Sequence, residues 1–189
     1  MKIIHALFAT ILMTGLSFDA FAQADRIGGR WIMQNHFSEV VTDQHFKGKF
    51  RLIFFGYTFC PDVCPTSLSN VAEAMDLLED MDEEFQPLFV SVDPKRDTPQ
   101  VLREYVSNFH PKLIGLTGTK AAIDRITDRF KVSYSVVKDD KNDEEYYLID
   151  HSAGLYFMSE TGIFIRKFAH GISGEEIANR IKDILKNGQ

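Results

Sequence analysis

Cys60 and Cys64 are the only two cysteines in the sequence, and their spacing is the feature that most directly suggests chemistry. They lie in the segment Cys-Pro-Asp-Val-Cys-Pro at 60–65, between an apolar run typical of a buried strand and a pattern typical of a helix. The positive end of that helix favours the thiolate form of both side chains. Two thiolates four positions apart on a turn can converge on one soft or borderline-soft metal ion, such as copper or zinc.

Two other interpretations of the cysteine pair stay open at this point. A structural disulfide would close a loop of about five residues and contribute roughly 2 kcal/mol, compared with about 4.7 kcal/mol for a loop of 100 residues. A thiol-disulfide exchange site needs a low-pKa thiol beside a resolving one and tolerates this spacing, although Cys-x-x-Cys is the commoner form. The spacing alone therefore gives metal binding, a structural disulfide and thiol exchange about equal weight.

Three motifs together resemble those of a known family. They are Gly-Tyr-Thr-Phe-Cys-Pro-Asp-Val-Cys-Pro-Thr at 56–66, Val-Asp-Pro-Lys-Arg-Asp-Thr-Pro at 92–99 and Asp-His-Ser at 150–152. In this order and spacing they resemble the Sco/SenC family of copper metallochaperones, which have a thioredoxin-like fold and serve cytochrome c oxidase assembly. The similarity extends from about residue 27 to residue 185. The resemblance implies a copper site formed by Cys60, Cys64 and His151, a donor set that suits Cu(I) and can also hold Cu(II).

The same resemblance predicts the function. We expect an exported copper carrier that delivers copper to the binuclear centre of cytochrome c oxidase subunit II, or to another copper protein. The alternative is a thiol-disulfide oxidoreductase in which Cys60 and Cys64 form a redox pair that reduces the cysteines of that target. A peroxidase of the peroxiredoxin type is suggested by the fold alone. Only copper carriage needs His151, and copper affinity should then fall below about pH 6.5.

Several other residues are weaker candidates for metal ligands. His170 is the main rival to His151, but packing or a turn hydrogen bond is the simpler role for it. Asp150 adjoins His151, although neighbouring strand residues point to opposite faces. Asp62 is a hard donor that copper would not prefer. The methionines lie at core spacings and are expected to fill the core: Met75, Met81 and Met158.

Strand and helix patterns alternate along the chain around these motifs. A short hairpin is predicted at 30–34 and 38–42, and helices are predicted from Pro65 to about 82, from 98 to about 108, after Thr119 and after Ser173. Strands are predicted at 51–56, 88–92, 113–116, 146–150, 154–158 and 163–168, with a solvated loop at 138–145. In the 92–99 motif, Arg96 and Asp97 can pair. The pattern predicts an α/β fold with three layers, in which a mixed central sheet has helices on both faces and an N-terminal hairpin.

Composition and charge narrow the possible functions. The chain has 189 residues, 44% of them hydrophobic, and a net charge of -6, which excludes a disordered tail and a multi-span membrane protein. This acidic balance does not suggest a nucleic-acid partner. No repeat or linker divides the chain, so we expect one domain and a monomer.

The first 22 residues read as a secretory signal peptide. Lys2 forms a minimal positive region, a mostly apolar run follows from Ile3 to Phe18, and Ala-Phe-Ala at 20–22 suits a cleavage site. We therefore expect a cleaved signal at 1–22 and a thioredoxin-like copper-binding domain at 23–189. The domain would be periplasmic and close to the membrane without spanning it, and an uncleaved leader would attach it to the inner membrane.

Overall fold

The structure, a computed structural model, describes residues 26–137 and 147–187. Its strands are β1 (Ile32–Asn35), β2 (Val40–Thr42), β3 (Phe50–Gly56), β4 (Phe85–Ser91), β5 (Ile114–Thr117), β6 (Tyr134–Val137), β7 (Leu148–His151), β8 (Leu155–Met158) and β9 (Phe164–Phe168). Its α-helices are α1 (Val63–Asp76), α2 (Pro99–Val106), α3 (Lys120–Phe130) and α4 (Gly174–Asn187). The expected leader and the expected loop at 138–145 lie outside the described residues.

Seven strands form one mixed sheet in the order β2-β1-β5-β4-β3-β8-β9. Strands β3, β4 and β5 are parallel, and the others pair antiparallel with their neighbours. The predicted N-terminal hairpin is β1 with β2. Strands β6 and β7 pair with each other in a separate two-stranded sheet. This small sheet matters for function because it carries His151.

The central strand β3 is buried along its whole length because both faces of the sheet are covered. Phe50, Leu52 and Phe54 lie in the core cluster that contains buried residues of α1, α2 and α4. Ile53 and Phe55 lie in the other cluster, which contains the buried face of α3. Alternate residues of a strand point to opposite faces, so one apolar run supplies both cores. The α/β fold with helices on both faces is confirmed.

Helices α2, α3 and α4 begin at the predicted caps. The Thr98 hydroxyl accepts a hydrogen bond from Val101 N, and Pro99 follows at the first helical position of α2. Thr119 caps α3 and Ser173 caps α4 in the same way. Within the described part of the chain, no helix combines the length and the apolar character needed to cross a bilayer.

Helix α1 differs from the sequence-based prediction at both ends. It begins at Val63, so Pro65 lies in its first turn rather than at its first position. A proline is tolerated there because the first N–H groups of a helix have no intrahelical partner. It ends at Asp76 instead of about residue 82, and a 3-10 helix follows at Glu79–Glu84. Five of the six residues in that segment are acidic, and like charges three or four positions apart disfavour a longer α-helix.

Candidate metal centre

The structure brings Cys60, Cys64 and His151 together. Their two sulfurs and one ring nitrogen all lie within 4.8 Å of one another, and Cys64 Sγ is 3.6 Å from His151 Nε2. Donors around one tetrahedral ion with bonds of about 2.0 to 2.3 Å lie roughly 3.6 Å apart. The three donors therefore need only a small contraction to share one ion. Among the described residues, this trio is the group of histidine, cysteine and carboxylate side chains with that geometry.

The cysteines are held where β3 passes into α1. Cys64 is completely buried in the first turn of α1, and Cys60 is half-buried in the loop before it. The Cys60 N–H donates to Tyr57 O at 3.3 Å, which closes the loop. Gly56 at the end of β3 leaves room for the buried sulfur, since a Cβ there would lie 2.6 Å from Cys64 Sγ. Any larger residue at position 56 would displace the thiol.

Burial, rather than the helix terminus, dominates the pKa of the Cys64 thiol. We expected the helix terminus to favour thiolate, but burial strongly raises the pKa of Cys64 above the ordinary thiol value. The nearby Cys60 sulfur raises it further, whereas the backbone of Tyr57 lowers it. Desolvation disfavours the charged form more than one helix end stabilises it. The expectation of a thiolate is therefore wrong for Cys64 in the metal-free protein, and a bound cation must displace its proton.

His151 reaches the sulfurs from the last position of β7. Burial lowers its pKa below 6.5, so the ring is neutral at neutral pH. Its Nδ1 lies 3.3 Å from Ser152 O, and a proton donated there leaves the Nε2 lone pair facing Cys64. The rings of Phe54 and Tyr57 meet the imidazole edge to face, with centroids 6.4 Å and 6.0 Å away. The imidazole is thus oriented and deprotonated before any metal binds.

A cluster around Arg96 attaches β7 to the main sheet. Arg96 Nε donates to Asp93 Oδ2 at 2.5 Å, and Arg96 Nη1 donates to Tyr147 O at 2.9 Å. The guanidinium also stacks on Tyr147, 3.6 Å from its ring centroid, and lies 4.7 Å from that of Phe59. The Tyr147 hydroxyl donates to Asp93 Oδ1 at 2.7 Å, and burial together with Asp93 raises the pKa of Tyr147 to about 12. This cluster sets the position of the strand that ends at His151.

The predicted pairing of Arg96 with Asp97 is wrong. Asp97 is fully buried and accepts hydrogen bonds from Thr58 N at 3.0 Å, Thr58 Oγ1 at 2.6 Å and Ser91 Oγ at 2.5 Å. Burial raises the pKa of Asp97. Arg96 pairs instead with Asp93, three residues earlier on the same turn. Asp97 therefore anchors the loop before Cys60, a supporting role that the sequence reasoning missed.

Sequence reasoning also missed Tyr147, although a signal was present. Tyr147, Ile149 and His151 alternate along an extended segment, and alternate strand residues share one face. The structure confirms the alternation: Ile149 is buried, His151 is half-buried, and Leu148 and Asp150 between them are exposed. Alternation therefore predicts that Tyr147 lies on the same face as the histidine.

The other candidate ligands lie outside the trio. His170 is exposed, and its Nδ1 lies 3.5 Å from the hydroxyl of Ser67 on α1, a contact between distant segments rather than the packing or turn hydrogen bond expected for it. Asp62 precedes α1 and its side chain makes no cap hydrogen bond. Met75 and Met158 are buried in the two cores, and Met81 packs against one of them.

These features define the class of the protein: a thioredoxin-like α/β domain in which a Cys-x-x-x-Cys loop faces a histidine from a separate small sheet. A model of the SCO1/SenC family matches residues 19–186, so the chain belongs to that family.

Individual relatives support the assignment along most of the chain. SCO2-like protein RP587 of Rickettsia prowazekii is 40% identical over 166 residues, which cover 88% of this chain and 80% of the relative. A crystal structure of Arabidopsis thaliana ScoI with copper bound superposes with a TM-score of 0.79 at 34% identity, covering 86% of this chain and 99% of that one. Bradyrhizobium japonicum ScoI with copper bound gives a TM-score of 0.75 at 39% identity, covering 83% and 98%.

Proposed function

We propose that the protein binds copper through Cys60, Cys64 and His151 and transfers it to a copper protein during cytochrome c oxidase assembly. The convergence of two sulfurs and one imidazole nitrogen is the observation that carries this proposal. Solved members of the family hold copper, and thiolate with imidazole is a donor set that copper prefers. The recipient we propose is the binuclear copper centre of subunit II.

The location of the trio suits a carrier that must release its cargo. Cys60 and His151 are half-buried rather than enclosed, and only Cys64 is fully buried. Phe59, next to Cys60, is 44% exposed and offers an apolar contact for a partner beside the site. A recipient can therefore approach the metal from the side of Cys60 and His151. Such a partner lies outside the cytoplasm if the leader directs export as the sequence predicts.

A spectroscopic experiment tests the site directly. Cu(II) added to the reduced protein should produce a sulfur-to-copper charge-transfer band at a stoichiometry of one. The band should be absent from the Cys60→Ser/Cys64→Ser variant and present in His170→Ala, which removes the neighbouring imidazole outside the trio. A band that persists in the double cysteine variant would show that copper binds elsewhere.

The second candidate function is thiol-disulfide exchange, and the proximity of two free thiols favours it. In that reaction Cys60 and Cys64 lose two protons and two electrons and form a disulfide, while the disulfide of the target gains them and becomes two thiols. The half-buried Cys60 is the accessible sulfur. His151→Ala should abolish tight Cu(II) binding and leave disulfide reduction intact. An equal loss of both activities would contradict the separation of the two functions.

A further inference from the structure

A second candidate site lies at the opposite end of the sheet from the cysteines. It is a groove of about 890 Å³ between the chain segment at 26–29, the end of α3 and the turn that joins β8 to β9. Gly162 of that turn approaches Arg51, the second residue of β3, whereas the cysteine loop follows the last residue of β3. Seven residues of extended strand span roughly 20 Å. The Gly162 edge of the groove therefore lies far along β3 from the cysteine loop, whereas Lys131 at the other edge is two residues before Ser133, which hydrogen-bonds to Ser152 next to His151.

Basic side chains dominate the lining of the groove. Arg26, Arg125, Arg129 and Lys131 contribute four positive charges, and Asp128 contributes the single acidic group among the lining residues. The Asp128 carboxylate lies 4.0 Å from Lys131 Nζ and is largely exposed. This excess of positive charge is local, since the whole chain carries a net charge of -6. The groove therefore has a local excess of positive charge that favours anions.

Arg129 is the groove cation that has a buried donor without a hydrogen-bond partner among the described residues. This donor is its Nε–H group. The guanidinium lies against Gly29, where a Cβ would be 2.9 Å from Nη1 and where φ is +114°. A buried cationic N–H without an acceptor is destabilising, by about 1 to 3 kcal/mol or more. This N–H has almost no accessible surface, so an anion in the groove becomes its acceptor only when the guanidinium turns towards the groove.

The helix dipole explains only part of this arrangement. Arg129 and Lys131 lie at the carboxyl end of α3, where positive charge stabilises the exposed carbonyls. Arg26 is outside the helix, and Arg125 lies more than a turn before its end, so neither contributes through that mechanism. The dipole also leaves Arg129 Nε without an acceptor. The dipole therefore leaves Arg26 and Arg125 unexplained.

The surroundings of the groove indicate which anion it receives. Ile163, on the rim, is 65% exposed beside the cations, a combination typical of a surface that meets lipid headgroups and acyl chains. Arg26 also follows the segment of the sequence that contains the apolar run from Ile3 to Phe18. We propose that this groove binds the phosphate group of an anionic phospholipid.

The Arg129 Nε–H group provides a direct probe of the proposal, because shielded arginine Nε–H groups give separate nitrogen-15 NMR signals. The full chain should be placed in phosphatidylcholine bicelles with increasing fractions of phosphatidylglycerol. We expect the Arg129 signal, identified by its loss in Arg129→Gln, to move as phosphatidylglycerol is added. In Arg125→Gln the fraction needed for half of the change should rise about fivefold, since each basic residue near an anionic surface contributes about 1 kcal/mol.

Matched variants separate this site from general charge effects. Asp128→Asn should lower the phosphatidylglycerol fraction needed, and Arg180→Gln on α4, outside the groove, should leave it unchanged. Any anchoring by the apolar leader is the same in all of these variants. An Arg129 signal that is identical with and without phosphatidylglycerol would overturn the proposal. So would a signal that inorganic phosphate moves in pure phosphatidylcholine bicelles while phosphatidylglycerol does not, because the ligand would then be a free oxyanion.

Discussion

The two halves of the metal site are held by different kinds of structure. Cys64 is buried under Gly56 in the larger of the two cores, and Cys60 packs against both cores. His151 belongs to the small β6-β7 sheet, which is attached by the buried Ile149, by Tyr134 and Tyr147 at the edge of the second core, and by hydrogen bonds from Arg96 and Tyr57. Close packing in a core positions the sulfurs, whereas the imidazole is positioned by ring contacts and by hydrogen bonds of about 1 kcal/mol each. We call Cys60 and Cys64 the thiol half of the site, and His151 with its small sheet the imidazole half. We therefore expect the imidazole half to move first when a partner removes the metal.

The largest expected effect tests the packing of the thiol half. Leu68, on α1 one turn after Cys64, is completely buried. Leu68→Ala should lower the free energy of unfolding by about 2 to 5 kcal/mol, because the lost contacts are accompanied by a cavity. Urea denaturation with the reduced, metal-free protein measures this change.

Leu77→Ala is the matched control, since this leucine follows α1 and is 44% exposed. It should change the free energy of unfolding by less than about 1 kcal/mol. Equal effects of the two substitutions would contradict the view that packing fixes the position of Cys64.

The second prediction concerns the polar attachment of the imidazole half. Arg96→Gln removes the ion pair with Asp93 and the hydrogen bond to Tyr147 O, which together position β7. Cu(II) affinity should fall about 10- to 100-fold, the range typical when a group that orients a metal ligand is lost. Competition with a chelator measures it.

Arg103→Gln is the control for this change. Arg103 Nε and Nη2 donate to His36 O at 3.1 Å and 3.0 Å, and the residue lies on α2, away from the trio. Both variants lose an arginine that donates to a backbone carbonyl, and because Arg96 is half-buried and Arg103 is exposed, Arg96→Gln should lose more stability. Only Arg96→Gln should lose copper affinity. If Arg103→Gln weakened copper binding as much, the effect would report general destabilisation rather than the position of His151.

How much of the fold and the site the sequence predicts depends on the same contrast between local packing and contacts of distant segments. Apolar runs and caps predicted the sheet, the hairpin and the starts of α2, α3 and α4, because these elements depend on local pattern and burial. The separate pairing of β6 with β7 and the partner of Arg96 were not predicted. Both depend on contacts between distant segments, which no local pattern encodes. The buried state of Cys64 was missed for a similar reason, because burial depends on what packs over the helix start.

The third prediction uses the opposite pKa shifts of the two halves. Burial raises the pKa of Cys64 and lowers that of His151 below 6.5, so at pH 7 the imidazole is neutral while the buried thiol keeps its proton. Copper must displace that proton. Cu(I) affinity should therefore rise about tenfold per pH unit between pH 7 and 9 for each proton displaced.

This prediction extends the expectation from the sequence that copper affinity falls as the pH drops below about 6.5. In the folded protein the proton on Cys64 sets how copper affinity depends on pH near neutrality, and protonation of His151 lowers the affinity further at lower pH. Chelator competition in a pH series, with proton release followed in weak buffer, measures both. An affinity that is constant from pH 7 to 9 would show that the Cys64 sulfur is already ionised in the folded protein.

The smallest expected effect comes from one hydrogen bond within the imidazole half. Ser152 Oγ accepts from Ser133 N at 3.0 Å, next to the backbone bond from Ser152 N to Ser133 O. Ser152→Ala removes the first bond and keeps the carbonyl that orients His151. Cu(II) affinity should fall less than about fivefold, because a neutral hydrogen bond contributes roughly 1 kcal/mol. Ser107→Ala, which removes an exposed hydroxyl at the end of α2, should have no effect. If Ser152→Ala lost as much affinity as Arg96→Gln, a single bond would control the position of His151, and the attachment would not be shared among several contacts.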